Sequence, residues 1–191
     1  MPKARRPLPP SVCDFDLENL RASGLTDTTI LAAGLYTEAG ALVFPYRDLD
    51  GNVNCFARRR PHDPRLDKDG KPIKYEQPAG IPSRAYFPPA SLNQLKDGVS
   101  TVYVTEGEKK ALALSQLGLA AVGIGGIWCG CKQGSTDLID DLAAIYWTDR
   151  VVYIVFDYDA KATTRRDVEN ARRRLAGALR RAGAKVVHLH L

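Results

Sequence analysis

No apolar run in this chain comes near the ~20 residues that a membrane-spanning helix needs, and the amino terminus has no apolar core of the kind that heads a secreted precursor. A cytoplasmic protein with no membrane partner is expected, with phage or plasmid origin left open. Cysteine and histidine are sparse: Cys13, Cys55, Cys129, Cys131, His62, His188 and His190 are scattered over 191 residues. Cys129-Gly130-Cys131 lacks the C-x2-C spacing of a zinc ribbon, and no second pair answers it. The thiols therefore read as buried or incidental, and no zinc is expected. Internal repeats are lacking too. Gly123-x-Gly125 invites a nucleotide-loop reading, but Trp128 stands where a dinucleotide fingerprint needs its third glycine. Gly130-Cys131-Lys132-Gln133 has neither the Gly-Lys pair nor the hydroxyl of a phosphate loop. These glycines instead read as letting the backbone pass close to a metal site or a bound nucleotide.

What is present is ordinary in bulk. Apolar residues make up 45% and charged residues 26%, enough for one large domain or two small ones. Lys and Arg outnumber Asp and Glu by 27 to 22, for a net charge of +5 and a pI near 9.1. That excess permits nucleic acid as a partner without requiring it.

The informative stretch is V-Y-V-T-E-G-E-K-K-A-L-A-L, from Val102 to Leu114. Four β-branched or aromatic residues predict a short buried strand, and Glu106 follows at its carboxyl end, where open α/β sheets place ligands. Glu108 then opens a helix and reads as a stabiliser of its first turn. A second apolar run, Val151–Phe156, predicts a central parallel strand covered on both faces, and it ends in Asp157-Tyr158-Asp159. Residues two apart on an extended chain share a face. Glu106, Asp157 and Asp159 would thus converge as three hard oxygen donors, a set suited to magnesium or manganese. Capping of helix amides is the plainer reading of these carboxylates, but three at coordinated strand ends are hard to explain separately.

Read in order, residues 1–12 form a basic, proline-rich arm carrying Lys3, Arg5 and Arg6. Phe15 to Leu35 predicts two helical pieces, the first ended by Gly24 and the second capped by Thr26 or Asp27. A-L-V-F-P-Y-R and V-N-C-F-A-R-R predict a hairpin turned by D-L-D-G-N, and Pro61–Pro72 a mobile polar loop. After Gly98, strand and helix alternate: strand 99–105, helix 108–117, strand 120–124, helix 136–145, strand 151–156, helix 165–182 and strand 185–191. That alternation predicts a parallel sheet with helices on both faces. Asp140 and Asp141 read as solvated positions. So does most of the arginine-rich last helix, with Arg165 and Arg166 the better candidates there for phosphate contact.

The strand–Glu-Gly–helix unit, followed by a hydrophobic strand and Asp-x-Asp, resembles the topoisomerase–primase (toprim) domain over residues 99–191. Upstream, V-F-P-Y-R-D-L-D-G-N-V-N-C-F-A-R-R, K-Y-E-Q-P and A-Y-F-P are similar to the basic subdomain that precedes toprim in bacterial-type primases, as is the entry S-G-L-T-D-T-T-I-L-A-A-G-L. The resemblance implies Glu106 as general acid/base or metal-linked carboxylate, and Asp157 with Asp159 as magnesium ligands. It also implies Arg59 and Lys74 as residues facing template or nucleotide, a set to which Arg58, Lys109, Lys161 and Arg165 are added. That family's zinc ribbon and a further acidic loop are missing, so a fragment of a larger phage- or plasmid-type replication protein is expected.

The expected fold is α/β: a toprim domain (98–191) with a parallel four-stranded sheet flanked by helices, preceded by a smaller α+β basic module (14–97). The expected activity is that of a DNA primase-type nucleotidyltransferase, using magnesium or manganese, a single-stranded DNA template and nucleoside triphosphates, with a replicative helicase as a further partner in cis or trans. Two alternatives stay open: a toprim-type magnesium-dependent nuclease, and a non-catalytic single-stranded-DNA-binding module.

Overall fold

The computed structural model describes residues 11–157 and 162–188. The basic arm bearing Lys3, Arg5 and Arg6 lies outside the described residues, as do two of the expected site residues, Asp159 and Lys161. Two short helices open the described chain, α1 (Asp14–Ala22) and α2 (Asp27–Ala33). Thr26 caps α2 by accepting the Thr29 amide on its hydroxyl, and Gly34 ends it in the left-handed conformation.

A three-stranded antiparallel sheet follows in the order β1 (Tyr36–Glu38), β2 (Ala41–Arg47), β3 (Val53–Pro61). Only the β2–β3 hairpin was legible in advance. Its turn is closed by Asp48, whose amide donates to the Asn52 carbonyl (3.0 Å) while its Oδ1 accepts the Asn52 amide (2.9 Å). The loop expected to be mobile carries an ordered turn of its own, in which Asp67 Oδ1 accepts the amides of Asp69 and Lys71.

The second sheet has five strands, not the expected four. β4 (Ala85–Tyr86) pairs antiparallel with β6 (Ala120–Ile124), and β6, β5 (Val102–Glu106), β7 (Val151–Val155) and β8 (Lys185–His188) run parallel in that spatial order. The sequence predicts an extended piece from Lys74-Tyr75 to the proline-bracketed A-Y-F-P-P around Tyr86, and β4 lies at its end, but nothing local announces its pairing with β6. Asp141 anchors the start of β4, taking the Ala85 amide (2.8 Å) and the Arg84 guanidinium (2.7 Å) on Oδ2, so Asp141 is not the solvated residue that was expected.

Helices α4 (Glu108–Gln116) and α6 (Ala162–Arg181) flank the sheet. Leu175 and Leu179 of α6 pack with Val102, Val104, Val152 and Ile154 on one face, each worth ~1.5–3 kcal/mol of burial. Ala111 and Leu112 of α4 pack instead with Leu20, Phe44, Tyr46 and Tyr86, so the upstream module and the parallel sheet share a core.

Two expectations fail here. The helix foreseen at 136–145 is reduced to α5 (Asp140–Ala143), because the chain before it pairs Cys131 with Leu138 and buries Leu138 and Ile139 from extended backbone. β7 is not closed on both faces: Val151, Tyr153 and Val155 are half-buried, with Tyr153 stacked on Tyr103 at 5.2 Å. Between α3 (Leu92–Lys96) and β7, the fully buried Arg150 guanidinium donates to the carbonyls of Gln94 (2.7 Å), Leu95 (2.8 Å) and Ser100 (3.0 Å).

Candidate active-site cleft

The site is built at the carboxyl ends of β5 and β7. The two strands pair parallel as far as Thr105 with Val155, and the Thr105 hydroxyl ties them by donating to the Val155 carbonyl (2.8 Å). Glu106 is the last residue of β5. Gly107 then turns the chain at φ 81°, a region that favours glycine, and α4 begins at once. Asp157 lies two residues beyond β7, and its amide donates to Glu106 Oε1 (3.0 Å). One turn into α4, the Lys110 ammonium bridges both carboxylates, 3.0 Å from Glu106 Oε1 and 2.5 Å from Asp157 Oδ2. Acidic groups 51 positions apart along the chain therefore converge on a single cation.

The facing wall comes from β3. Side chains alternate along a strand, so Arg58 and Arg60 point one way and Arg59 the other. Arg58 and Arg60 join Lys74, Tyr75, Lys109, Lys110, Glu106 and Asp157 around a cleft of about 550 Å³. Gly125 and Gly126, following β6, form its floor. A Cβ on Gly125 would stand 3.2 Å from the Arg58 guanidinium, so the bare backbone there makes room for the arginine. A larger depression of about 840 Å³ lies elsewhere, but its charges are already matched, Arg84 with Asp141 and Lys132 with Asp140, both at 2.7 Å. The smaller cleft, where carboxylates and surplus cations face each other, is the chemically distinctive one.

Behind this wall sits a buried polar group. Glu108, 1% exposed, accepts the Tyr46 hydroxyl (2.7 Å) and Arg58 Nη1 (2.9 Å) on Oε1. Arg58 also lies over the Tyr75 ring, 4.8 Å from its centre. Burial alone pulls the Arg58 guanidinium down, but Glu108 and then Tyr46 outweigh it and the net shift is upward. Burial and then the Glu108 charge push the hydroxyls of Tyr46, Tyr75 and Tyr86 up. Lys109 donates to Asn19 Oδ1, which also accepts Arg60 Nη1 (2.6 Å), so a single residue of α1 holds two cations of the cleft, one from α4 and one from β3. Burial, then the nearby Arg60 charge, draws the Lys109 ammonium below the ordinary lysine value.

Of the residues singled out from sequence, the cleft brings together Glu106, Asp157, Arg58, Lys74 and Lys109. Arg59 lies apart: it pairs with Glu38 (2.7 Å) on the opposite side of β3, beside Tyr36 and Glu76. Arg165 is exposed near the start of α6 and does not line the cleft. Sequence reasoning missed Arg60, Lys110, Tyr75 and the burial of Glu108. Arg60 follows from Arg58 by the period of two, and Lys110 from Glu106 by the i,i+4 spacing of a helix. Nothing local distinguishes Glu108 from a solvated first-turn carboxylate.

The expectation that zinc has no place in this chain is corrected. Cys13 and Asp16, three residues apart, and the distant His62, without ribbon spacing, bring ligand atoms within 4.8 Å of one another. The chain is also similar to the zinc-binding and RNA polymerase domains of the Aquifex aeolicus primase. That likeness covers 94% of this chain and 50% of the primase chain, with a TM-score of 0.65 and 15% identity. At that identity it establishes the fold, which is the mixed α/β fold of a bacterial primase core. An uncharacterized protein of Picosynechococcus sp. (strain ATCC 27264 / PCC 7002 / PR-6) is 29% identical over 170 residues, spanning 72% of this chain and 17% of that protein. The chain thus spans half or less of the length of the relatives it matches. Residues 94–191, just over half of the chain, match the family described as Domain of unknown function (DUF3854), and to that family the chain belongs.

Proposed function

We propose that this chain is a primase-type nucleotidyltransferase core of the toprim kind, extending a primer on a single-stranded DNA template. The observation that carries the reading is the cleft itself. Two carboxylates at parallel-strand ends face a wall of arginine and lysine supplied by a different module, which suits polyphosphate held between opposite charges. The carboxylates of Glu106 and Asp157, the latter followed two residues on by Asp159, fit a divalent cation, since Glu106 and Asp157 already converge on the Lys110 ammonium. Such a cation supplies Lewis-acid neutralisation of triphosphate charge when bound.

The chain's own residues would do the rest. Arg60 and Lys74 bind nucleotide or template phosphates at the mouth of the cleft. Arg58, held by Glu108 and Tyr75, presents a fixed guanidinium that needs no ordering when substrate arrives. Glu106 would accept the proton of the attacking 3′-hydroxyl as the new bond to the α-phosphorus forms and pyrophosphate leaves.

Incubation with single-stranded DNA, labelled nucleoside triphosphates, and magnesium or zinc supplied in turn tests this. Labelled products longer than a dinucleotide are expected, lost in Asp157→Asn with the thermal melt unchanged. Shortened DNA without incorporation would show a nuclease instead. Salt-sensitive DNA binding that is indifferent to divalent metal, with neither product, would show a non-catalytic module.

A further inference from the structure

The cluster set against the start of α1 is used by none of this chemistry. Asp16 is completely buried, and a carboxylate removed from water needs compensation. Oδ2 has several partners: the Thr37 hydroxyl donates to it at 2.6 Å, His62 Nε2 lies 2.9 Å away, and Cys13 Sγ lies 3.5 Å away. Oδ1, equally buried, has no hydrogen-bond partner among the described residues. The charge is therefore lopsidedly satisfied, and two of the groups crowded against it are metal-binding types.

We propose that Cys13, Asp16 and His62 form a zinc site, separate from the carboxylate cleft, that fastens α1 to the three-stranded sheet. Thiolate, carboxylate and imidazole together favour a borderline cation such as zinc over magnesium or calcium. The three ligand atoms already lie within 4.8 Å of one another. Tetrahedral zinc spaces its ligand atoms by roughly 3.5 Å, so closing on the ion takes shifts of about 1 Å or less. Cys13 and Asp16 sit three residues apart at the start of α1, on one helix face. His62 is the residue after β3 and is fixed twice: its amide donates to the Gly40 carbonyl (2.9 Å), and its ring meets Phe15 edge-on at 4.9 Å. Thr37 holds the other side, accepting the Cys13 amide on the same hydroxyl that donates to Asp16 (3.0 Å). Among the described residues no other Cys, His, Asp or Glu joins the group, so the site assigns three protein ligands.

The site bears on the cleft through α1. Asn19, one turn beyond Asp16, holds both Arg60 and Lys109. A staple between Cys13, Asp16 and His62 fixes the helix that fixes those two cations.

The protein is stripped with a chelator and titrated with zinc, followed by calorimetry and thermal melting, and then with cobalt(II) as a spectroscopic substitute. One zinc per chain is expected, with a raised melting temperature and a thiolate-to-cobalt absorption band. Cys13→Ala should lose the band, and Cys13→Ala and His62→Ala should each weaken zinc binding by at least about 100-fold, while Cys55→Ala and Cys129→Ala change neither. Thr37→Val, which removes the hydroxyl that donates to Asp16 and accepts the Cys13 amide but no ligand atom, should weaken binding by about 10–100-fold. Asp16→Asn alters a buried group whether or not zinc binds, so the partly exposed Cys13 and His62 are the decisive positions. No saturable uptake at one zinc per chain, or equal affinity in Cys13→Ala and His62→Ala, overturns the proposal. The cluster is then a hydrogen-bonded Asp–His pair.

Discussion

Glu108→Ala separates two readings of one residue by size alone. Taken as a solvated carboxylate in the first turn of α4, Glu108 is worth about 0.3–1 kcal/mol through the helix dipole. The structure instead gives it 1% exposure, an ion pair with Arg58 at 2.9 Å and the Tyr46 hydroxyl at 2.7 Å. Truncation would strand the Arg58 guanidinium, itself 8% exposed, without its carboxylate and with only uncharged neighbours in Tyr46, the Tyr75 ring face and the Gly125 backbone. Breaking a buried pair by removing one partner costs about 3–5 kcal/mol. Against a total stability on the order of 5–15 kcal/mol, that change is readily seen in urea unfolding. Glu108→Gln keeps an acceptor for Tyr46 and should cost clearly less. Glu108→Leu combined with Arg58→Met should recover most of the loss, because replacing both members of a buried pair with apolar groups removes the stranded charge. A cost below about 1 kcal/mol for Glu108→Ala, with no coupling to Arg58→Met, would refute the buried-pair account and return Glu108 to the solvent.

Three further outcomes follow from the same geometry. Lys110→Met removes the ammonium that bridges Glu106 and Asp157, so divalent-cation affinity at the cleft, read by calorimetry, should rise; a fall would make Lys110 a support of the site rather than a competitor for it. Arg150→Met orphans the carbonyls of Gln94, Leu95 and Ser100, each costing ~1–3 kcal/mol if left dry, and should lower stability by about 3 kcal/mol or more in urea unfolding. Burial pushes the Asp97 carboxyl up, but the Ser100 hydroxyl and the amides of Ser100 and Val99 outweigh it and the net shift is downward from 3.8. A carboxyl depressed in the folded state stabilises above its unfolded pKa and loses that contribution as pH falls through the folded one, so the melting temperature of the wild type should drop faster below pH ~4 than that of Asp97→Asn.

How much of this was legible in advance depended on how local each signal was. Thr26 capping α2, the Asp48–Asn52 turn and the whole of β6 are written in a few consecutive residues, and all appear where the pattern placed them. The extended piece at Tyr86 was legible, but its joining the second sheet and the truncation of α5 were not, because both depend on a distant partner: β4 on Asp141, and α5 on the extended pairing of Cys131 with Leu138. In the cleft, the carboxylates were legible because each ends an apolar strand. Their counter-wall was blurred, since Arg58, Arg59 and Arg60 are identical in type and only the parity of β3 tells them apart. The Cys13–Asp16–His62 cluster was invisible to spacing rules because it is assembled by the packing of α1 on the sheet.

That parity is the step on which the cleft rests. β3 is registered to β2 by Leu42 opposite Arg60 and Phe44 opposite Arg58, and Leu42 and Phe44 are both completely buried in the shared core. A slip of one residue would turn Arg59 inward and expel Arg58 and Arg60, while also breaking the Arg58–Glu108 pair. The register is therefore held from both ends: by apolar burial in β2, and by a buried charge on α4 that begins one residue after Gly107. Because Glu106 ends β5 just before that glycine, the turn that orients the carboxylate also delivers the partner that orients the opposing arginine. The basic wall and the acidic strand ends are thus positioned by one short segment, residues 106–110, rather than by two modules that happen to meet.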